Sequence, residues 1–183
     1  MKKVVLLSVI LVVCFNTSIA QEVKTFKNYA GIKAGLAFPM GQYVSDNYKI
    51  GGQFDFNFGY LFSENIGIAT LLFYTFFPKK GDSSGSVGLG GFMVGPLFAI
   101  TSELSKVGFD VRPSIGFGTG SGINTPYSAS SGAITITAGL GASVRWNCRR
   151  ELSLSGNVDL FYGSPKSVNL SSFAISIGVH RRF

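Results

Sequence analysis

Side chains able to do covalent or metal chemistry are scarce in this chain of 183 residues: one histidine, His180, and two cysteines, Cys14 and Cys148. A protein metal centre needs three or four His, Cys or carboxylate ligands at characteristic spacings. His180 and Cys148 offer no such spacing, so no metal is expected. A nucleophilic triad needs an imidazole beside its Ser or Cys and a third group to orient it, so any such site would have to run through His180. The segments SVGLGG (86–91) and GFGTGSG (116–122) look superficially like phosphate loops. Neither is followed by Lys-Ser/Thr and neither opens a helix, so no nucleotide or other cofactor is expected. What remains is charge. Lys33, Asp55, Asp110, Arg112, Arg145, Asp159 and Arg182 share a chemistry, that of ion pairs or of a proton or ion path. Which of the two they serve depends on what holds them.

The holding elements are strands. In IGGQFDFNFGYLF (50–62) every second residue from Phe54 to Phe62 is aromatic, with Gln53, Asp55, Asn57 and Gly59 between. A two-residue repeat means extended chain with one apolar and one polar face. The pattern recurs at 29–38, 106–117, 132–146, 152–162 and 171–183. Segments 66–77 and 86–100 also read as strands, but the first is apolar on both faces and the second is broken by glycines and Pro96, so their phase stays open. The expected architecture is all-β: an eight-stranded antiparallel up-and-down transmembrane barrel. Most runs cover 10–13 residues. That exceeds the usual five or six of globular strands and matches the roughly 9–11 a tilted strand needs to cross a bilayer. Connections alternate between short turns (62–65, 101–105, 147–151) and longer Gly-, Ser-, Asn- and Lys-rich loops (39–49, 78–85, 118–131, 163–170). Outer-membrane barrels alternate in this way.

Ahead of the strands, MKKVVLLSVILVVCFNTSIA has a basic start, an apolar run and a small-x-small ending at Ser18-Ile19-Ala20. It reads as a secretory signal peptide, 1–20, preceding a single barrel domain, 21–183. A lipoprotein site at Cys14 fits less well, because Val13 stands where a small residue is usual. Hydrophobic residues make up 46% and charged ones 14%, with 17 Phe and 24 Gly. Soluble domains carry about 25% charged residues. The net charge of +7 includes Lys2 and Lys3. In an exported chain that excess suits lipid headgroups; no nucleic-acid partner is expected.

The same composition orients the strands. A soluble barrel would bury Phe54, Phe56 and Phe58; here the polar-phase face is rich in glycine, which suits the narrow interior of an eight-stranded barrel. Tyr60, Phe62, Phe76, Phe77, Trp146 and Tyr162 stand near strand ends, where interfacial aromatic girdles belong. The charged set then lines the lumen, with Asp110 and Arg112 two apart on one strand and Asp55, Arg145 and Asp159 able to join them. A charge facing mid-bilayer lipid would cost about 2–4 kcal/mol. The expectation is a structural salt-bridge plug.

With these residues in place, the chain resembles the small outer-membrane β-barrel proteins of the OmpX and OmpA-transmembrane type, the porin-like outer-membrane β-barrel domain family. YAGIKAGLAF, GAITITAGLGASVRW and the ending FAISIGVHRRF carry the resemblance, which spans residues 21–183. Members typically end in Phe behind alternating apolar residues. Ile175, Ile177, Val179 and Phe183 match that assembly signal, which the barrel-assembly machinery reads, whereas Arg181 departs from it. The resemblance implies a Gram-negative outer-membrane location. Some barrels of this size are lipid-modifying enzymes with a Ser and a His near the outer leaflet; His180, close to the C-terminus, falls at the opposite rim, so no catalytic residue is expected. Cys148, in the turn NCRRE, reads as an incidental thiol. Loop residues Tyr43, Tyr48, Lys49, Lys79, Lys80 and Lys166 are candidates for contact with lipopolysaccharide or a surface ligand. The expected role is structural, adhesive or surface-interacting, as a monomer, with a narrow solute channel as the alternative and a lipid-modifying enzyme as the weaker one.

Overall fold

A computed structural model describes residues 28–81, 85–101, 106–121, 124–125, 128–129, 133–149, 151–164 and 170–183. The signal-peptide segment 1–20, Lys166 and the side chain of Tyr43 lie outside the described residues. The wall strands are β1 (Asn28–Met40), β2 (Gly51–Leu61), β3 (Ile66–Pro78), β4 (Ser86–Thr101), β5 (Val107–Ser121), β8 (Ala133–Asn147), β9 (Leu152–Gly163) and β10 (Leu170–Arg182). Two short strands, β6 (Asn124–Thr125) and β7 (Ser128–Ala129), pair with each other in the loop after β5. Each wall strand pairs antiparallel with its neighbours, and β1 closes on β10 from Tyr29↔Arg182 to Met40↔Ser171. Closure satisfies the backbone within the wall, which is the condition for crossing hydrocarbon with strands.

β5 runs on to Ser121, beyond the 106–117 expected, because Gly118 and Gly120 continue its inward phase. Between β4 and β5 the ladder runs from Gly88↔Ser121 to Val94↔Ile115 and resumes at Phe98↔Val111. The register sets Pro96 opposite Pro113 in that gap, and neither has an N–H to donate.

The side chains are distributed inside out. Ile32, Phe54, Phe56, Phe58, Phe92, Ile115, Ile136 and Ile177 are exposed, the last at 73%, while Lys33, Asp55, Asn57 and Asp159 are buried. This is the arrangement of a barrel solvated by lipid. It also resolves the two unphased strands. On β3, Ile68, Leu72, Tyr74 and Phe76 face out and Ala69, Phe73, Thr75 and Phe77 face in; on β4, Leu89, Met93 and Leu97 face in and Phe92 and Phe98 face out. Phe77, expected in the girdle, is therefore a lumen residue, because it falls on the inward phase of β3 with Phe73. The other girdle aromatics hold outward positions. Tyr60 and Phe62 meet edge to face at 5.3 Å, and Trp146 stands at the same short-turn end.

The loop after β1 contains a helix the alternation could not reveal, α1 (Gln42–Asn47). Gly41 turns the chain into it at φ +87°, a conformation that favours glycine. The helix folds back over the lumen mouth, held by Lys80 N–H donating to Asn47 O at 2.8 Å and Lys80 Nζ donating to Ser45 O at 2.7 Å.

Candidate functional site

The lumen is filled in two storeys. Toward the short turns lies the charge network. Lys33 Nζ, from β1, stands 3.1 Å from Asp55 Oδ2 on β2 and 2.7 Å from Asp159 Oδ2 on β9. Arg112, from β5, approaches Asp159 Oδ1 at 3.6 Å. Gln53 Nε2 donates to Asp55 Oδ2 at 2.5 Å. One level nearer the short turns, Arg145 grips Asp110 with two nitrogens, Nε at 2.6 Å from Oδ2 and Nη2 at 2.8 Å from Oδ1. Ser143 Oγ donates to the same carboxylate at 3.2 Å. Tyr29 sits beneath, its ring centroid 5.9 Å from the Arg145 guanidinium, within the range of a cation–π contact.

These cations have room because the register sets a glycine beside each. Lys33 pairs with Gly178 across β1–β10, Arg112 with Gly141 and Arg145 with Gly108 across β5–β8. A Cβ on Gly141 would stand 2.5 Å from Asp159 Oδ1 and 3.3 Å from Arg112 Nη2. The missing side chains are what allow long ones to lie across the bore.

Asp110 and Arg112, expected as neighbours on one strand, bond to different partners. A same-face pair two apart on a strand lies about 7 Å apart at Cα, so each reaches across instead, Asp110 to Arg145 and Arg112 to Asp159. Arg182 stands half-buried at the short-turn rim and makes no ion pair among the described residues. Of the C-terminal set, Ile175, Ile177, Val179 and Phe183 all face outward.

Ser155 Oγ and His180 Nε2 are hydrogen-bonded at 2.7 Å. That is the spacing of a nucleophile and its base, but His180 Nδ1 finds no hydrogen-bond partner to orient it. The pair is buried in the packed short-turn half, with Tyr29 edge-on to the imidazole at 5.7 Å. Cys148, buried in the turn after β8, directs its thiol at Trp146 O, 3.7 Å away. Among the described residues no three His, Cys, Asp or Glu gather to hold a metal.

Toward the loops the lumen turns apolar. Phe73 from β3 and Phe161 from β9 stack with centroids 4.8 Å apart and 5° between planes. Phe77, Val87, Leu89, Met93 and Leu170 pack round them, and α1 closes the mouth with Val44. Tyr48 belongs to this plug and is 8% exposed. Its expected role as a loop-tip contact is corrected: the turn after α1 bridges to the residue just past β3 at Tyr48↔Lys79 and tucks the ring inward. Lys49, Lys79 and Lys80 remain exposed above β2 and β3. Sequence reasoning missed the apolar storey. Its signal was there in β3 and β4, which are apolar on both faces because one face meets lipid and the other fills the lumen.

No family model matches the sequence, and no curated protein is similar to it at the sequence level. Solved structures do match in shape. Neisserial surface protein A aligns with a TM-score of 0.67 at 17% identity, over 85% of this chain and 97% of its own. Ail, the attachment invasion locus protein of Yersinia pestis, aligns with a TM-score of 0.54 at 15% identity, over 87% and 100%. The outer membrane enzyme PagL aligns with a TM-score of 0.53 at 11% identity, over 85% and 99%.

The fold is that of the small eight-stranded outer-membrane barrels.

Within that fold this chain fills its interior with a register-matched charge network below, a stacked aromatic plug above and a helical cap.

Proposed function

We propose that this chain is an outer-membrane barrel of a Gram-negative bacterium, exported by the segment 1–20, whose role is structural or surface-interacting rather than catalytic or conductive. One observation carries the reading: the lumen is occupied at two successive levels by unlike materials, so a solute that passed the apolar plug would meet a network of paired charges. An eight-stranded wall leaves little room beyond its own side chains. The channel alternative would need both levels to rearrange together. The catalytic alternative would need a reactive pair open to lipid, whereas Ser155 and His180 are buried at the short-turn end.

Function then rests with what faces outward: the loops and the lipid-facing wall. Two structural neighbours, a surface protein and an attachment protein, agree with a role at the cell surface. Planar-bilayer recording tests the reading. The purified barrel should give no steady single-channel currents; reproducible discrete currents would reject the plugged barrel and reinstate the channel. A lipid A or phospholipid mass change on expression would reinstate the enzyme.

A further inference from the structure

Seven of the eight seams in the wall carry an unbroken ladder. The eighth, between β4 and β5, is interrupted at residues 95–97 and 112–114. The cause is chemical. The register sets Pro96 opposite Pro113, and a proline has no N–H to give a neighbouring strand. In sheets proline keeps to edges and bulges. A closed barrel has no edge, so the facing prolines make two short ones in mid-wall. Pro96 lies five residues from the short-turn end of β4 and Pro113 six from that of β5. Lipid cannot replace the missing bonds, and backbone left unpaired at membrane depth is tolerated only against protein or a water-filled cavity.

The two strands keep their spacing all the same. A Cβ on Gly95 would stand 2.8 Å from Ser114 Cα, as one on Gly116, within the ladder, would stand 2.6 Å from Met93 Cα. The seam is closed but unbonded over three residue pairs. Behind it lies a cavity of about 20 Å³, lined by Gly95, Pro113 and Ser114 at the seam and reaching Arg112, Asp159 and Phe161 inside. That is room for about one water, at the level where the charged and aromatic storeys meet. Arg112 belongs to the interrupted stretch and is the loosest member of the network. Its 3.6 Å approach to Asp159 is the longest of the lumen ion pairs, its Nε and Nη2 have no hydrogen-bond partner, and Asp159 keeps Lys33 at 2.7 Å without it.

We propose that β4 and β5 part at this seam while the rest of the barrel stays folded, and that Arg112 leaves Asp159 for water drawn into the slit. The slit is a side opening into the lumen between the two storeys. It leaves the bore shut, since the aromatic plug and the remaining charge pairs still lie across it. Local opening draws on stretches short of backbone bonds and packed contacts. Here the missing bonds, the empty space and the loosest cation coincide.

Hydrogen–deuterium exchange of the barrel in lipid nanodiscs, read residue by residue by NMR, tests this. Phe98 and Val111 pair across the seam beside the gap; Ala142 and Val158 pair at like depth between β8 and β9. In the wild type the first two amides should exchange at least tenfold faster than the second two, and the Arg112 Nε–H should exchange with the first. Val94 and Ile115 face each other on the far side of the gap. In a Cys148→Ser background, a disulfide joining Val94→Cys to Ile115→Cys should slow Phe98, Val111 and the Arg112 Nε–H tenfold. Pro96→Val with Pro113→Val, which restores both N–H groups, should slow them as far. Three results would each overturn the proposal: seam amides no faster than the Ala142–Val158 pair, rates that the disulfide leaves unchanged, or an Arg112 Nε–H that stays protected while the amides exchange. Equally fast exchange in every wall strand would overturn it too, because the whole barrel would then be opening.

Discussion

Below the barrel's midline Lys33 reaches two carboxylates on two other strands; above it Phe73 and Phe161 lie flat against each other. Both arrangements block the same bore, yet they are specified differently. The charged storey depends on register. Each cation needs a carboxylate on another strand and a glycine beside its stem, so a one-residue slip would strand every member. The aromatic storey depends on volume. Any set of apolar groups that fills the space would serve, and losses leave a void rather than an unpaired charge. The lower half should therefore be brittle and the upper half tolerant.

The sharpest way to break that contrast is Lys33→Met. Lys33 and Asp55 side chains are fully buried, so the substitution leaves Asp55 without a cation and Asp159 with only Arg112, 3.6 Å away. Removing one partner of a buried ionic set costs about 3–5 kcal/mol. Urea titration of the barrel in lipid vesicles, read by the mobility of the folded band, should show that loss. Adding Asp55→Asn should restore most of it, with Asp159 kept as the partner of Arg112. A cost below about 1 kcal/mol for Lys33→Met alone would mean the network is ornamental.

Next in size is the plug. Phe73→Ala should cost about 3 kcal/mol, the lower end for deletion of a buried ring. The double variant with Phe161→Ala should reveal a coupling near 1 kcal/mol for the lost stack. Neither should conduct ions, since the charge network still spans the bore. Steady currents from the double variant would show that the aromatic storey is the only seal.

Gly141→Leu probes the brittle half from its other side. The new side chain would press into Asp159 and Arg112, and overpacking of this kind costs about 1–3 kcal/mol. The same substitution at Gly156, where a Cβ meets nothing within 4 Å, should be nearly silent by the same titration.

These positions also mark how far the sequence could be read. The strands of the clean alternations, their inward and outward phases and the two classes of connection are visible in residues 50–62 and 171–183, because a half-lipid, half-lumen wall imposes a period of two. The aromatic storey was hidden by its own composition: β3 and β4 are apolar on both faces, and period-two reasoning has no contrast to work with there, so Phe77 read as girdle. The pairs Lys33–Asp159 and Asp110–Arg145 were illegible for another reason. Their members are 126 and 35 residues apart, and only the register of a closed barrel decides which charges share a level. Tyr48 was misplaced because a one-and-a-half-turn helix in a polar loop leaves almost no periodic trace.

The smallest expected effect lies outside both storeys, at Arg181, where the chain departs from the alternating apolar ending of β10. Its guanidinium stands 3.5 Å from Glu151, but the two side chains are 74% and 58% exposed. An exposed pair at that distance contributes about 0.2–1 kcal/mol at best. What fastens this turn to β10 is backbone: Arg182 N–H donates to Glu151 O at 2.7 Å, a bond that survives any substitution at either side chain short of proline. A double-mutant cycle with Glu151→Gln and Arg181→Gln should therefore give a coupling under about 0.5 kcal/mol. Arg181→Phe, which restores the apolar phase, should leave stability unchanged while altering, if anything, the rate of assembly into membranes. A coupling above 1 kcal/mol would place a third fastening at the short-turn rim and extend the brittle half to the end of the chain.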